Sequence, residues 1–262
     1  MMNIWAVANQ KGGVGKTTTA VTLAGLLAGQ EYRVLLVDMD PHGSLTTYFG
    51  NDPDSVESSV YDLFHNDDLN IQSLIRKTNI EHLSILPAST ALATLDRQLA
   101  TQQGKGLVIK RCLRQVDDDY DYVLLDCPPM LGVLMVNALA ACDYLIIPVQ
   151  TEFLALKGLE RMIHTIAMIN HARKNPLPYL IVPTLFDRRT RASLRSLQVL
   201  QQQYPRELWD DIIPVDTQFR EASQSGVPAS YKAPKSHGVL AYTVLLDTLC
   251  GVRASELTMA AG

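Results

Sequence analysis

The chain has 262 residues, 47% of them hydrophobic and 19% charged, and its 23 Lys and Arg against 27 Asp and Glu give a formal net charge of −4. This composition excludes a disordered chain and a coiled coil. The mild acidity argues against a protein whose whole surface contacts nucleic acid, but it leaves local basic patches open. The length allows one large α/β domain or two small ones.

Targeting signals are not evident in the sequence. Residues 1–5 place no basic region ahead of an apolar run, so we expect no signal peptide. The most apolar stretch, residues 131–149, is interrupted by Asn137 and Asp143 and is too broken to span a bilayer. The four cysteines form no C-x-x-C pair, which is typical of reduced thiols. We therefore expect a cytoplasmic protein without membrane insertion.

Short apolar runs alternate with helical patterns along the chain. The predicted strands cover residues 4–8, 33–38, 120–126, 144–148 and 179–183, and the first predicted helix covers residues 17–27. Strands that are apolar at every position are buried on both faces, and their alternation with helices indicates parallel βαβ units. The sequence predicts an α/β fold with a single doubly wound, mostly parallel sheet and helices on both faces.

The domain organisation is predicted from composition. Residues 51–104 are more polar and less regular, so we expect a surface excursion rather than a second domain. We assign residues 1–250 to one domain and residues 251–262 to a short, frayed C-terminal tail.

A glycine-rich segment, residues 10–18 (QKGGVGKTT), separates the first strand from the first helix. Glycines let backbone N–H groups close on phosphates, and the helix N-terminus adds positive potential. Lys16 would neutralise the β- and γ-phosphates and Thr17 would coordinate Mg²⁺. Gln10 replaces the usual first glycine, and Lys11 adds a second cation. The predicted phosphate site consists of Lys11, Gly12, Gly13, Val14, Gly15, Lys16, Thr17 and Thr18.

Carboxylates follow two of the predicted strands. Asp38 and Asp40 end the second strand, where ligands bind in open α/β sheets, and alternate strand residues face the same way. Asp126 precedes a double proline and fits a Walker B carboxylate, because an acid beside buried residues needs solvent, a partner or a metal. The three carboxylates and two lysines predict one Mg-ATP site.

KGGVGKTT resembles the deviant Walker A loop of the ParA/MinD class of P-loop ATPases, and the resemblance extends over residues 3–249. It implies that Lys11 reaches the ATP of a partner subunit, so that the protein forms a homodimer on ATP binding. It assigns Asp40 to orienting the attacking water and Asp38 to the water shell of Mg²⁺. Pro214 and Asp216 match a stretch that borders adenine. Hydrolysis is expected to be slow and stimulated by a partner.

Other branches of this fold match less well. MinD-like proteins end in a basic amphipathic helix, whereas residues 251–257 carry one base and one acid. Cys127 and Cys142 do not stand where nitrogenase-type iron proteins hold their cluster. Lys11 and the D-x-D-P run disfavour an amidotransferase or a biotin-pathway synthetase.

The resemblance leaves two alternatives for the cargo that the protein would position. Residues 40–48, 148–160 and 186–195 resemble ParA-like ATPases of chemotaxis gene clusters, often called ParC, which position signalling arrays at the cell pole. The alternative is a chromosome or plasmid partition ATPase that binds non-specific DNA with a ParB-like partner. The candidate DNA or partner contacts are Arg188, Arg189, Arg191, Arg195 and Arg220. Residues 214–218 lack the two arginines that many partition proteins have there. We expect polar array positioning first and DNA partition second.

Overall fold

The structure is a computed structural model that describes residues 2–66, 69–99 and 105–260. Over these residues a seven-stranded sheet forms the centre of the fold. Its strands are β1 (Asn3–Val7), β2 (Val34–Asp38), β3 (Arg76–Lys77), β4 (Leu83–Leu86), β5 (Tyr122–Asp126), β6 (Tyr144–Gln150) and β7 (Tyr179–Thr184).

The strand order is β3-β4-β2-β5-β1-β6-β7. Every pairing is parallel except the antiparallel contact of β3 with β4. β5 therefore lies between β1 and β2, which brings the carboxyl ends of these three strands together. The predicted α/β fold with a mostly parallel sheet is confirmed.

The helices connect and cover the strands. They are α1 (Lys16–Gly29), α2 (Ser44–Tyr48), α3 (Leu95–Leu99), α4 (Val108–Leu113), α5 (Val133–Ala141), α6 (Phe153–Ala172), α7 (Arg191–Gln203), α8 (Gln218–Ser225), α9 (Ala229–Lys232) and α10 (His237–Ala260). Short 3₁₀ helices span Val60–Phe64, Ile71–Leu74, Thr90–Thr94, Lys105–Leu107 and Arg114–Val116.

Two hydrophobic cores lie on opposite faces of the sheet. On one face, Val7, Leu36 and Leu124 pack with apolar side chains of α1 and α10. On the other face, Val37 and Leu125 pack with side chains of α4, α5 and α6. Alternate strand residues thus serve different cores, which explains why the strands are apolar at every position.

The expectation of a surface excursion over residues 51–104 is wrong for much of its described part. Leu63, Phe64 and Leu92 are buried in the core beside α4 and α5, and Leu83–Leu86 is a central strand. The apolar pieces are short and separated by polar turns, so no periodic pattern reveals them. Residues 67, 68 and 100–104 lie outside the described residues.

The predicted frayed tail also differs from the structure. α10 continues through Ala260, so the boundary placed at residue 250 falls within this helix. Between residues 250 and 260 the sequence has no proline, and its one glycine, Gly251, does not end the helix. None of the helices within the described ranges is long and apolar enough to cross a membrane.

Candidate functional site

A cavity of about 960 Å³ opens at the carboxyl edge of β1, β2 and β5. The register of the strands places Asp38 directly beside Asp126, with Val7 on the other side of Asp126. The cavity wall includes Gly12, Gly13, Gly15, Lys16, Thr17, Thr18, Asp40, His42, Pro214, Asp216, Arg220 and Tyr242. Residues separated by up to 230 positions in sequence therefore surround one space.

The phosphate loop, residues 10–18, presents free backbone donors to this cavity. Gly13 and Gly15 have φ angles of +74° and +90°, which side-chain-bearing residues rarely adopt, and a Cβ on either would meet nothing within 4 Å. Gly15 precedes α1 without a side-chain cap. The first N–H groups of α1 therefore lack helical acceptors and face the space where phosphates would fit.

The loop is held from outside by its neighbours. Val14 is fully buried, and its carbonyl accepts a hydrogen bond from Thr184 Oγ1 at 2.8 Å. Gln10 Nε2 donates to Thr165 Oγ1 of α6 at 2.6 Å. A Cβ on Gly158 of α6 would lie 3.1 Å from the Lys11 Cβ, a contact tighter than most, so glycine favours this close approach. These contacts fix the loop before any ligand binds.

The two loop lysines occupy different environments. Lys16 is buried, lines the cavity, and its Nζ donates to the Lys11 carbonyl at 3.2 Å. The Lys11 side chain instead forms an ion pair with Glu152 and approaches Gln150 Oε1 at 3.4 Å. Glu152 immediately precedes α6. Lys11 is therefore engaged by its own chain and is not part of the cavity wall.

Asp38 and Asp126 are fully buried carboxylates. Asp38 Oδ2 accepts hydrogen bonds from the Thr46 amide at 2.8 Å and from Thr46 Oγ1 at 2.7 Å. Thr46 Oγ1 in turn accepts from the Ala88 amide at 2.8 Å. Burial raises the pKa of Asp38 to about 6 despite these hydrogen bonds.

Asp126 retains an unsatisfied oxygen. Thr17 Oγ1 donates to Asp126 Oδ2 at 2.6 Å, while the buried Oδ1 atom has no hydrogen-bond partner. Burial, followed by the charge of Asp38, raises the pKa of Asp126 to about 8. A buried carboxylate oxygen without a partner is costly, and a hydrated cation would satisfy it.

These side chains fit Mg²⁺ better than a metal held only by protein. Among the described residues, no group of three or more His, Cys, Asp and Glu side chains is arranged to hold a metal ion. Mg²⁺ usually keeps several waters and binds through one or two carboxylates together with substrate phosphates. Thr17, Asp38 and Asp126 offer a hydroxyl and two carboxylates beside the phosphate loop, which matches that mode.

Asp40 lies in the turn that follows β2. Its amide donates to Asp38 Oδ1 at 3.1 Å, which links the two acids. Its own Oδ1 accepts two hydrogen bonds from His42, one from the amide and one at the ring Nδ1, both at 3.0 Å. The sequence pattern pointed to Asp40 but gave no sign of this pairing with His42.

Pro214 and Asp216 also line the cavity, and their contact with adenine stays a prediction. Asp216 accepts hydrogen bonds from the amides of Gln218 and Gly238, each at 2.9 Å. A Cβ on Gly238 would come within 2.5 Å of the Phe219 ring, so α10 packs tightly against this wall. The Asp216 side chain therefore holds the backbone at the starts of α8 and α10, which form this wall.

Further wall residues escaped the sequence reasoning. Tyr48, Leu185 and Tyr242 line the cavity from α2, the end of β7 and α10. No motif marks them, because they meet only through the fold. Tyr242 is buried, and its hydroxyl shares a 2.7 Å hydrogen bond with Thr19 Oγ1 of α1.

The predicted arginine contacts divide into three groups. Arg220, on α8, lines the cavity and lies apart from the other four arginines, so its contact with DNA or a partner stays a prediction. Arg189 forms an ion pair with Asp187 at 2.7 Å. Arg188 precedes α7, which begins at Arg191 after a Thr190 cap, so it does not share a helical face with Arg191 and Arg195. Those last two are exposed on α7.

Comparisons with known proteins agree with this arrangement. A family model described as an AAA domain matches residues 2–178. The chain is 37% identical to the sporulation initiation inhibitor protein Soj of Bacillus subtilis, with 92% of this chain and 96% of Soj covered. It is 36% identical to the chromosome partitioning protein ParA of Myxococcus xanthus, with 92% and 86% covered. A solved structure of cobyrinic acid a,c-diamide synthase from Mycobacterium smegmatis, with bound ATP analog and magnesium, has a TM-score of 0.83 and 35% identity over 95% of each chain.

The raised pKa values predict a pH-dependent stability in the ligand-free protein. The pKa of Asp126 is higher in the folded than in the unfolded chain, so the folded state binds the proton more tightly. The contribution of this proton to the free energy of unfolding is complete below about pH 4 and is lost as the pH rises towards 8. We expect the melting temperature, measured by circular dichroism in EDTA, to fall from pH 5 to pH 8. Asp126→Asn should make this fall shallower, because the amide cannot ionise.

Asp187→Asn is the matched control for this experiment. Hydrogen bonds from Arg189 lower the pKa of exposed Asp187 to about 2, so this acid is already ionised above pH 5. The control should keep the wild-type slope. An equal slope in Asp126→Asn and in the wild type would contradict the assigned raised pKa.

Proposed function

This chain belongs to the ParA/MinD family of P-loop ATPases, and we propose that it is an ATP-dependent dimerisation switch that positions a cellular cargo. The observation that carries the proposal is the cluster at the carboxyl edge of the sheet. There the open phosphate loop and the buried Lys16 line the cavity, and the half-satisfied Asp126 lies behind Thr17, which hydrogen-bonds to it. ATP with Mg²⁺ is the ligand whose charges would complement all of them.

We assign each residue of this cluster a role in binding. The loop amides and Lys16 hold the phosphates, and Thr17, Asp38 and Asp126 hold the hydrated cation. When bound, Mg²⁺ neutralises negative charge that develops on the phosphate oxygens. Pro214 and Asp216 border the adenine. The cavity of about 960 Å³ lies at the upper end of the range of small-molecule sites and leaves room for this ligand.

Hydrolysis is assigned to Asp40 as the residue that orients the attacking water. Asp40 lies beside the phosphate loop in the cavity wall, and its carboxylate can accept a hydrogen bond from the attacking water. The products are ADP and phosphate. We expect slow turnover that a partner stimulates, since a switch uses hydrolysis to end a state rather than to consume substrate.

The dimer depends on Lys11. In the free chain the Lys11 ammonium pairs with Glu152, which is 40% exposed at its side chain. An exposed pair of this kind is worth about 0.2–1 kcal/mol, so the multiply charged triphosphate of a partner subunit can displace it. We propose that Lys11 exchanges Glu152 for the partner's nucleotide, and that this exchange links ATP binding to dimerisation.

The sequence favoured an array cargo, but with the relatives added we place chromosome or plasmid partition first. The relative from Myxococcus xanthus is named a chromosome partitioning protein. Arg188, Arg191 and Arg195 are exposed and form no ion pair with any other described residue. A dimer would double this basic surface, which suits non-specific DNA and a ParB-like partner.

Positioning of a polar chemotaxis array is the second candidate. It rests on the resemblance of residues 40–48, 148–160 and 186–195 to chemotaxis-associated relatives, and on the absence of both arginines from residues 214–218. In that case the partner would be an array protein at the cell pole, and the same ATP switch would serve it. The DNA experiment below separates the two.

Asp40→Ala tests the switch itself. Without the water-orienting carboxylate, hydrolysis should fall by about 10²-fold or more while ATP still binds, so the dimer should persist in ATP and Mg²⁺. Size-exclusion chromatography with light scattering measures the dimer, and phosphate release measures hydrolysis. Lys16→Ala is the control that should lose ATP binding by calorimetry. A monomeric Asp40→Ala in ATP would overturn the proposal.

Glu152→Gln tests the exchange of Lys11. Each dimer must open two Lys11–Glu152 pairs, so removing them should lower the dimer dissociation constant in ATP by about two- to thirtyfold. Analytical ultracentrifugation measures it. Glu160→Gln makes the same charge change on α6, where Glu160 pairs with Lys157 at 2.9 Å. It should leave the constant unchanged; an equal effect of both variants would point to net charge alone.

DNA binding is tested by a salt titration of the ATP-bound protein on random duplex DNA. A dimer with three arginine contacts per subunit should give a slope of log affinity against log salt of roughly −5. The triple variant Arg188→Ala/Arg191→Ala/Arg195→Ala should flatten this slope. Arg189→Ala is the control, because Arg189 is already paired with Asp187. Absence of binding in the wild type would favour the array cargo.

A further inference from the structure

The turn after β2 holds His42 in a fixed position relative to Asp40. Pro41 occupies the second position of the turn, where its φ angle is restrained, and the Gly43 amide donates to the Asp40 carbonyl at 2.8 Å. Gly43 has a φ angle of +60°, and a Cβ there would lie 2.5 Å from Pro53. Pro53 therefore packs directly against the turn, at a position where only glycine fits.

Within this turn, one oxygen of Asp40 receives both donors of His42. The His42 amide and the ring Nδ1 each lie 3.0 Å from Oδ1. A carboxylate only accepts, so Nδ1 carries the hydrogen and the ring is held by that bond. No donor among the described residues reaches Oδ2. The carboxylate is thus anchored by one oxygen and open at the other.

The two side chains differ sharply in exposure. The Asp40 side chain is 15% exposed and the His42 side chain 81% exposed. Both residues line the cavity beside the phosphate loop. An exposed imidazole gains little from packing. The hydrogen bond to Asp40 is therefore the main interaction of the His42 side chain.

We infer that His42 is a positioning residue for ATP hydrolysis, which holds Asp40 through Nδ1 so that Oδ2 stays free to orient the attacking water. The inference rests on the proposed function, in which Asp40 has that role. His42 acts through Asp40 and contributes no binding energy for the nucleotide. Its loss should lower kcat and leave the KM for ATP and the ATP-dependent dimer unchanged.

Two isosteric variants separate the side-chain bond from the rest of the turn. In His42→Asn the amide Nδ2 takes the place of Nδ1 and can donate to Asp40, whereas His42→Leu has the same shape without a donor. Both keep the backbone N–H. We expect about a three- to tenfold lower kcat for His42→Leu, as for the loss of one hydrogen bond, and a kcat within about twofold of wild type for His42→Asn.

A second measurement needs no nucleotide. Two-bond ¹H–¹⁵N correlation spectra of the ligand-free protein report which imidazole nitrogen of His42 carries the hydrogen. We expect the Nδ1-protonated tautomer in the wild type and its loss in Asp40→Ala, since the tautomer follows the hydrogen bond that the ring makes.

The outcomes are distinguishable. A wild-type kcat in His42→Leu would overturn the inference, because the backbone bond alone would then suffice. An equal loss in both isosteres, or a change in KM instead of kcat, would also overturn it. A wild-type protein that shows no ATP hydrolysis would instead remove the proposed function, and the tautomer measurement would still report whether the His42–Asp40 bond exists.

Discussion

Two buried carboxylates at the ends of neighbouring strands are the constraint on which the site depends. The register sets Asp38 beside Asp126, and both are fully buried. Two such acids cannot both be ionised without compensation, because burial and mutual repulsion favour the protonated forms. Either a proton or a bound cation would meet this requirement. Thr17, Thr46 and Lys16 lie around the pair and partly offset the cost of burying the two charges. The phosphate loop, α2 and β5 therefore all contribute to the electrostatics of this pair.

The pairing of polar side chains within the free chain explains how the site can exist before its ligand arrives. Lys11 contacts Glu152, and Asp40 contacts His42. At Lys11, binding would exchange one interaction for another, so its net free energy is smaller than the new contact alone suggests. The contact of Asp40 with His42 needs no such exchange. Phe153 and Leu154 follow Glu152 and are 71% and 66% exposed, and Met130 after the double proline is 73% exposed. Exposed apolar residues next to the Lys11–Glu152 pair, as Phe153 and Leu154 are, suit a face that a second subunit would cover.

The sequence predicted those parts of the fold in which local pattern and tertiary role agree. The continuous apolar runs became β1, β2, β5, β6 and β7, because burial on both faces demands apolar residues throughout. Leu83–Leu86 escaped notice, since four residues between polar turns carry no period. The phosphate loop and Asp126 were marked by motif, whereas Tyr242 and Arg220 joined the cavity only through the packing of α8 and α10. Arg220 shows the limit: its charge was visible in the sequence, but the direction it faces depends on the fold.

Pro53 and Ala88, in the part of the chain that sequence patterns described least, support the acidic side chains of the site. The Ala88 amide, just after β4, donates to Thr46 Oγ1, and Thr46 holds Asp38. Pro53 packs against Gly43 and fixes the turn that carries Asp40 and His42. Pro53 and Ala88 thus support the acidic half of the site, while the phosphate loop and α1 supply its lysines. A change in this support would alter the orientation of Asp38 and Asp40 while leaving the phosphate loop intact, so the acidic side chains and the phosphate loop rest on separable parts of the same fold.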